Sequence, residues 1–218
     1  FTDSYEPCTY MAVCKDGKMG ELQKVSFGTK VADLVGDADV KAIAIGTKLY
    51  DASAMDLVIE ADTQIGNGVI TVYSSKCCMI HETEEVLLAE RKQSCGKCTF
   101  CREGLIQLHT MVKEITEGQG KKEFTDMMEE IGEAMTFSTP CTMGQTASDF
   151  AMGSLKYFAG EYEDHIKKKK CANNVCSAFM SIYIDPDLCE GCEECADVCP
   201  ADAIEGKSGY IHMIDEFE

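Results

Sequence analysis

The chain has 218 residues, with 38 acidic against 20 basic side chains, a net charge of −18, fourteen cysteines and no tryptophan. So negative a balance repels phosphate backbones over most of the surface and excludes nucleic-acid binding as the expected role. No stretch approaches the roughly 20 apolar residues of a membrane-spanning helix, and the cysteines point to small modules stapled by metal.

Residues 1–18 read as an N-terminal segment whose Cys8 and Cys14, spaced C-x5-C, are given no ligand role. Phe1 is no initiator, and the chain stops at Glu218 without a turn or cap, so it reads as a segment of a longer polypeptide. Residues 19–80 read as a mixed α/β unit. Strands are expected over 22–27 and 42–45, a helical turn or helix over 29–35, and a last alternating strand over 69–73 after the turn Gly66-Asn67-Gly68. No charge falls between Ile65 and Ser75, so this strand is expected to be central.

From His81 the period becomes helical, with Thr83 expected to cap a helix over 84–92. The loop Ser94-Cys95-Gly96-Lys97-Cys98-Thr99-Phe100-Cys101 follows. Its C-x2-C-x2-C spacing aims three thiolates at three irons of a cubane, and the fourth ligand must come from elsewhere. Cys141, in Ser138-Thr139-Pro140-Cys141, is the candidate. Three apolar stripes at helical spacing accompany this loop: Leu105, Leu108, Val112 and Ile115; Phe124, Met127 or Met128, Ile131 and Met135; and Ala151, Leu155, Phe158 and Tyr162. Three or four antiparallel helices built on them make a bundle over 81–166, with Cys95, Cys98 and Cys101 at one end and Cys141 in the loop facing them. Cys77 reads as a packing residue or exposed thiol, and His109 and His212 as structural.

Residues 167–181 form a linker opening on four lysines, read as a solvated helix end rather than a dock for an acidic partner. Residues 182–218 read as a ferredoxin-like βαβ piece: a strand over 182–184, the cysteine loop, a short helix ending near Ile204, the turn Lys207-Ser208-Gly209 and a strand over 210–214. Its Cys189-x2-Cys192-x2-Cys195-x3-Cys199-Pro200 run has bacterial ferredoxin spacing. In two-cluster ferredoxins the fourth cysteine serves the other cluster. Either the chain continues past Glu218 with a second motif, or Cys199 closes a single cluster. Two such triplets argue against a disulfide framework, which needs no such repetition, and favour iron and sulfide over zinc. Thiolate ligation of this density fits a reducing, cytoplasmic compartment.

On these motifs the chain resembles, over residues 20–218, the C-terminal portion of the NADH-binding flavoprotein subunit of respiratory complex I. It resembles more closely that subunit's relatives in soluble, flavin-based electron-bifurcating hydrogenases. Residues 94–104 resemble the family's first-cluster loop, Cys141 its distant fourth ligand, and Gly153-Ser154-Leu155-Lys156-Tyr157-Phe158 its following helix. Residues 20–80 resemble its β-grasp domain of the soluble-ligand-binding type. The ferredoxin motif points to the hydrogenase-type relatives. The implied fold class is α+β: a β-grasp domain, an antiparallel helical bundle carrying a [4Fe-4S] cluster, and the ferredoxin-like piece. The resemblance also implies zinc at Cys78, His165, Cys171 and Cys176, against the alternative of buried free cysteines and a surface histidine. The family's glycine-rich flavin and NADH motif is missing from these residues, which places FMN and NAD(P)H in a partner or a missing segment.

The expected role is an electron relay of two [4Fe-4S] clusters within an NAD(P)H-linked, flavin-based oxidoreductase such as a hydrogenase or formate dehydrogenase. The expected partners are a flavin- and NAD(P)H-binding subunit or domain, a catalytic hydrogenase or dehydrogenase subunit, and a ferredoxin. No general acid–base pair or activated nucleophile is visible, so no catalytic residue is assigned. The alternatives are a regulatory or structural iron–sulfur protein, and a zinc-based binding module.

Overall fold

Strand alternation fills the first third of the chain and helical stripes the middle. A computed structural model, describing residues 6–15, 17–180 and 183–214, follows that division. The chain forms two units, residues 1–179 and 180–218. The first opens with β1 (Cys8–Lys15), β2 (Lys18–Met19), β3 (Gln23–Ser26), β4 (Thr29–Lys30), α1 (Val31–Val35), β5 (Ala42–Ile45), β6 (Lys48–Asp51), a 3-10 turn at Ala52–Asp56, β7 (Val58–Ile59) and β8 (Val69–Tyr73).

The main sheet runs β2-β1-β8-β5-β6, with β3 also paired to β1. The uncharged β8 lies between β1, parallel, and β5, antiparallel. Alternation explains the faces. Ile70 and Val72 of β8 join Met11, Val13, Ile43, Ile45 and the α1 residues Val31 and Val35 in one core. On the other face Ala42 and Ala44 of β5 meet Leu49, Met79 and Phe150. The alanines keep that face shallow, which lets helices sit close on the sheet.

Two sequence expectations change here. Within the expected N-terminal segment 1–18, Cys8–Lys15 does not stand apart, because β1 pairs with three strands of the sheet. The helix expected over 29–35 is confined to Val31–Val35, since Thr29 and Lys30 pair with Ile59 and Val58.

The same unit continues with α2 (Met79–Gln93), α3 (Thr99–Thr116), α4 (Phe124–Ser138), α5 (Thr142–Thr146), α6 (Asp149–Tyr157), α7 (Ala159–Lys167) and a 3-10 turn at Ser177–Phe179. The stripe residues Leu105, Leu108, Val112, Ile115, Phe124, Met128, Met135, Ala151, Leu155 and Tyr162 share one core. Met128 is inside and Met127 exposed. Thr83 is not a cap: α2 already starts at Met79, and the Thr83 hydroxyl donates to the Met79 carbonyl at 2.6 Å. The third stripe spans two helices that break at Phe158, whose carbonyl accepts from Glu161 N–H while its N–H donates to Ser154. At Gly153 a Cβ would lie 2.4 Å from the Leu49 carbonyl oxygen, so α6 rests on β6 through a glycine.

The second unit contains α8 (Glu194–Asp197), β9 (Ile204–Glu205) and β10 (Met213–Ile214), the strands antiparallel. Among the described residues a loop, a short helix and a strand pair stand in place of the expected βαβ order. Ile182 and residues 215–218 lie outside the described residues, and Tyr183 and Ile184 form no strand. The last strand is shorter than expected because Gly209 and Tyr210 spend their N–H groups on the Gly191 and Lys207 carbonyls. The helix ends at Asp197, before a turn in which Asp202 has φ of 54°.

Candidate metal and cluster sites

Cys78, His165, Cys171 and Cys176 are all buried, and their ligand atoms lie within 4.8 Å of one another. Cys78 occupies the position before the first turn of α2, His165 lies in the last turn of α7, and the two remaining cysteines bracket a C-x4-C loop. Cys78 Sγ is 3.4 Å from His165 Nε2 and 3.8 Å from Cys176 Sγ, and Cys176 Sγ is 3.5 Å from His165 Nε2. A tetrahedral ion with metal–sulfur bonds of about 2.3 Å and metal–nitrogen bonds of about 2.0 Å sets S···S edges of about 3.8 Å and S···N edges of about 3.5 Å. The donor set therefore fits a small four-coordinate metal ion.

The electrostatics favour such an ion. The bond from the Cys176 thiol, supported by the His165 imidazole, draws Cys78 down to about 3, while Cys176, which keeps the shared proton, is pushed up. Burial opposes charging His165, but the Cys78 thiolate and the Glu161 carbonyl outweigh it and raise the ring to about 9. The Cys171 sulfur is buried, yet the N–H groups of Cys176, Val175 and Asn173 point at it and lower its pKa. These protons are what a cation displaces. His165 Nδ1 donates to the Glu161 carbonyl at 2.8 Å, which fixes the tautomer and leaves Nε2 facing the three sulfurs.

Around this centre lie residues that no sequence signal singles out. The Glu161 carboxylate pairs with Lys41 Nζ at 2.7 Å and accepts the Met79 N–H at 3.0 Å, beside Cys78. Lys41 also donates to the Cys77 carbonyl at 2.6 Å and to Asn173 Oδ1 at 3.2 Å, and Asn173 Nδ2 donates to the Ser75 carbonyl. The residue before β5 is thereby tied to α2, α7 and the C-x4-C loop. Cys77 itself packs against the sheet–helix core.

The first cysteine triplet spans the loop between α2 and α3. Cys95 is exposed, Cys98 precedes the first turn of α3 and Cys101 is buried within that turn. Cys141 is exposed at the start of α5. A Cβ on Gly104 of α3 would meet Met135 and Ile131 of α4, so the start of α3 lies against the end of α4, and α4 leads into Cys141. Cys98 and Cys101 both lie at the N-terminal end of α3. Ser94 Oγ lies 3.4 Å from Cys101 Sγ, and Arg102 Nη1 closes the loop on the Gly96 carbonyl at 2.8 Å.

In the second unit Cys189 is half-buried, Cys192 exposed, Cys195 within α8 and Cys199 just beyond it. The His212 backbone N–H donates to Cys189 Sγ at 3.5 Å and, with the Gly191 N–H, holds that thiol below its ordinary range. A loop thiolate surrounded by N–H donors is the chemistry of an iron–sulfur ligand.

Other sequence candidates fall in ordinary structure. Lys167 and Lys168 pair with Glu163 and Asp164 one turn earlier, and Lys169 Nζ donates to the Gly118 carbonyl at 2.6 Å. Cys8 and Cys14 sit in β1 as free, partly exposed thiols. His109 is buried against Arg91, whose Nη1 lies 2.8 Å from Nδ1.

Two family matches give the class, an iron–sulfur protein. Residues 82–165 match the family described as the NADH-ubiquinone oxidoreductase-F iron-sulfur binding region, and residues 182–205 the 4Fe-4S binding domain. The chain is homologous to the iron–sulfur-binding F subunits of NADH-quinone oxidoreductases and to their hydrogenase counterpart HndC. It is 34% identical over 148 residues to HndC of the NADP-reducing hydrogenase of Solidesulfovibrio fructosivorans, covering 68% of this chain and 30% of that protein. Against the F subunit of the Streptomyces coelicolor NADH-quinone oxidoreductase it is 30% identical over 111 residues, covering 51% of this chain and 25% of the relative. The chain thus spans less than a third of either. The crystal structure of an NAD+-reducing [NiFe]-hydrogenase in the H2-reduced state shares the fold, with a TM-score of 0.68 at 18% identity over 76% of this chain and 30% of that one.

Proposed function

We propose that the chain is the iron–sulfur relay portion of an NAD(P)H-linked, flavin-based oxidoreductase of the hydrogenase or dehydrogenase type. One [4Fe-4S] cluster is held by Cys95, Cys98, Cys101 and Cys141 in a helical bundle, and a second by Cys189, Cys192, Cys195 and Cys199 in the ferredoxin-like unit. The sheet preceding the bundle is a β-grasp domain, supported by its central β8 parallel to β1. Zinc at Cys78, His165, Cys171 and Cys176 is structural, because four protein donors leave no open position for a substrate. FMN and NAD(P)H sites belong to a partner or to another part of the protein, and the relay acts in the cytoplasm. Electron exchange with a catalytic subunit or a ferredoxin completes the path.

The observation that carries this reading is the coincidence of each cysteine triplet with an iron–sulfur family match, at 82–165 and at 182–205. Clusters at these sites supply one-electron chemistry, while the protein sets their position and potential. The test is iron, sulfide and zinc analysis of anaerobically reconstituted protein. Two cubanes, or about eight irons, and one zinc per chain are expected, and Cys98→Ala should remove the bundle cluster alone. About four irons in a fully loaded sample would overturn the two-cluster relay.

A further inference from the structure

His212 is 2% exposed, and its Nε2 is a buried side-chain atom without a hydrogen-bond partner among the described residues. A hydrocarbon side chain would fill this space without that cost, and an orphaned ring nitrogen in a core calls for a compensating contact. The other ring nitrogen supplies one: Nδ1 lies 3.9 Å from Cys189 Sγ, while the same residue's backbone N–H donates to that sulfur at 3.5 Å. The ring is also given room. A Cβ on Gly206 would lie 2.2 Å from His212 Cδ2, so only glycine fits beside it, and Gly206 has no positive φ to explain its presence otherwise.

We propose that His212 is a positioning residue for the cluster of the second unit, donating its Nδ1–H as well as its backbone N–H to the Cys189 thiolate and so raising that cluster's reduction potential. The inference rests on reading Cys189, Cys192 and Cys195 as cluster ligands. Reduction adds an electron, and N–H donors aimed at a ligand sulfur stabilise the more negative reduced state more than the oxidised one. The backbone bond is available to any residue at this position. The ring bond requires histidine, with its Nε2 buried beside Gly206.

The experiment is an EPR-monitored potentiometric titration of the full chain with both clusters loaded, the bundle cluster serving as internal reference. His212→Leu removes the ring donor and keeps the bulk. It should lower the second cluster's midpoint by about a tenfold change in its one-electron equilibrium constant, which is about 59 mV, and leave the bundle cluster unmoved. His212→Asn, which keeps an N–H donor, should restore much of the shift, and Gly206→Ala, which displaces the ring, should lower the midpoint like the leucine variant. An unchanged midpoint in His212→Leu overturns the proposal. Should the leucine variant fail to take up its cluster, pulsed EPR of the unmodified chain carrying histidine labelled with 15N in the ring alone decides, because the backbone nitrogen that also meets Cys189 then gives no 15N signal. Nitrogen coupling to the reduced second cluster supports the proposal, and its absence refutes it. A wild-type sample with no second cluster would instead overturn the ligand reading, so the two failures are distinct.

Discussion

At the scale of single residues, the two cysteine triplets are legible because cubane ligation compresses into a fixed local spacing, whereas the Cys78, His165, Cys171 and Cys176 set is not. Its members lie on either side of the helices and meet only once α2 and α7 have packed. No spacing rule reaches that far, and only a family resemblance suggests the set. Replacing Cys176 with serine should therefore abolish zinc binding while the iron content stays at its wild-type value. Because the site lies inside the core shared with Leu108 and Tyr162, the loss should lower the melting temperature, by roughly 2–4 °C for each kcal/mol lost in a chain of this size. Zinc that persists in the variant would show the quartet is no metal site. His109 illustrates the opposite case, a histidine whose role is packing. Burial first, and then the Arg91 charge, hold its pKa below the ordinary value. The unfolded chain thus binds a proton that the folded chain refuses, so stability is lost as pH falls through the unfolded value of about 6.5. His109→Gln, which can still accept from Arg91, should flatten the fall in melting temperature between pH 8 and pH 6. An unchanged slope would show that His109 is charged in the fold.

At the scale of elements, long periodic helices and the uncharged strand β8 are readable because each is specified by its own residues. Strand β1 is not, since its partners β8 and β3 lie further along the chain and its ends are polar. The break between α6 and α7 is hidden because Phe158 and Tyr162 preserve helical spacing across it. The contacts joining sheet and helices are equally invisible, and they make sharp predictions. Lys41 and Glu161 have side chains only 18% and 19% exposed. Removing one partner strands the other, at a cost between the ~0–1 kcal/mol of an exposed pair and the ~3–5 kcal/mol of a buried one. Lys41→Met should lower stability by about 2 kcal/mol on that scale and speed zinc release to a chelator, because Lys41 Nζ also holds the Cys77 carbonyl, next to Cys78, and Asn173 in the loop between Cys171 and Cys176. Release at the wild-type rate would separate the ion pair from the metal site. Gly153→Ala should destabilise by about 1–3 kcal/mol, the range for overpacking, because the Leu49 carbonyl oxygen it meets is backbone and cannot rotate away. Equilibrium denaturation measures the loss, and a neutral substitution would mean that α6 stands further off the sheet.

At the scale of the whole molecule, charge is the property most unevenly distributed. Between residues 180 and 218 there are eleven acidic residues and a single lysine, so the ferredoxin-like unit carries more than half of the net charge of −18. Near the second triplet these include Asp185, Asp187, Glu190, Glu193, Glu194 and Asp197. Carboxylates so placed shape encounter rates more than they shape the fold, because a field of one sign concentrates oppositely charged reactants and repels like ones. Salt then acts with opposite sign on the two kinds of reactant, since the Debye length shrinks from about 30 Å at 0.01 M to about 8 Å at 0.15 M. Oxidation of the reduced, cluster-loaded chain by a cationic cobalt(III) ammine should slow as ionic strength rises over that range. Oxidation by the ferricyanide anion should accelerate. Comparing slopes rather than absolute rates removes the difference in driving force between the two oxidants. Stopped-flow absorbance at several salt concentrations gives both slopes, and parallel slopes of the same sign would show that the acidic field does not reach the point where electrons leave. Replacing Glu190, Glu193 and Glu194 together with glutamine should bring the two slopes toward each other, with the iron content unchanged.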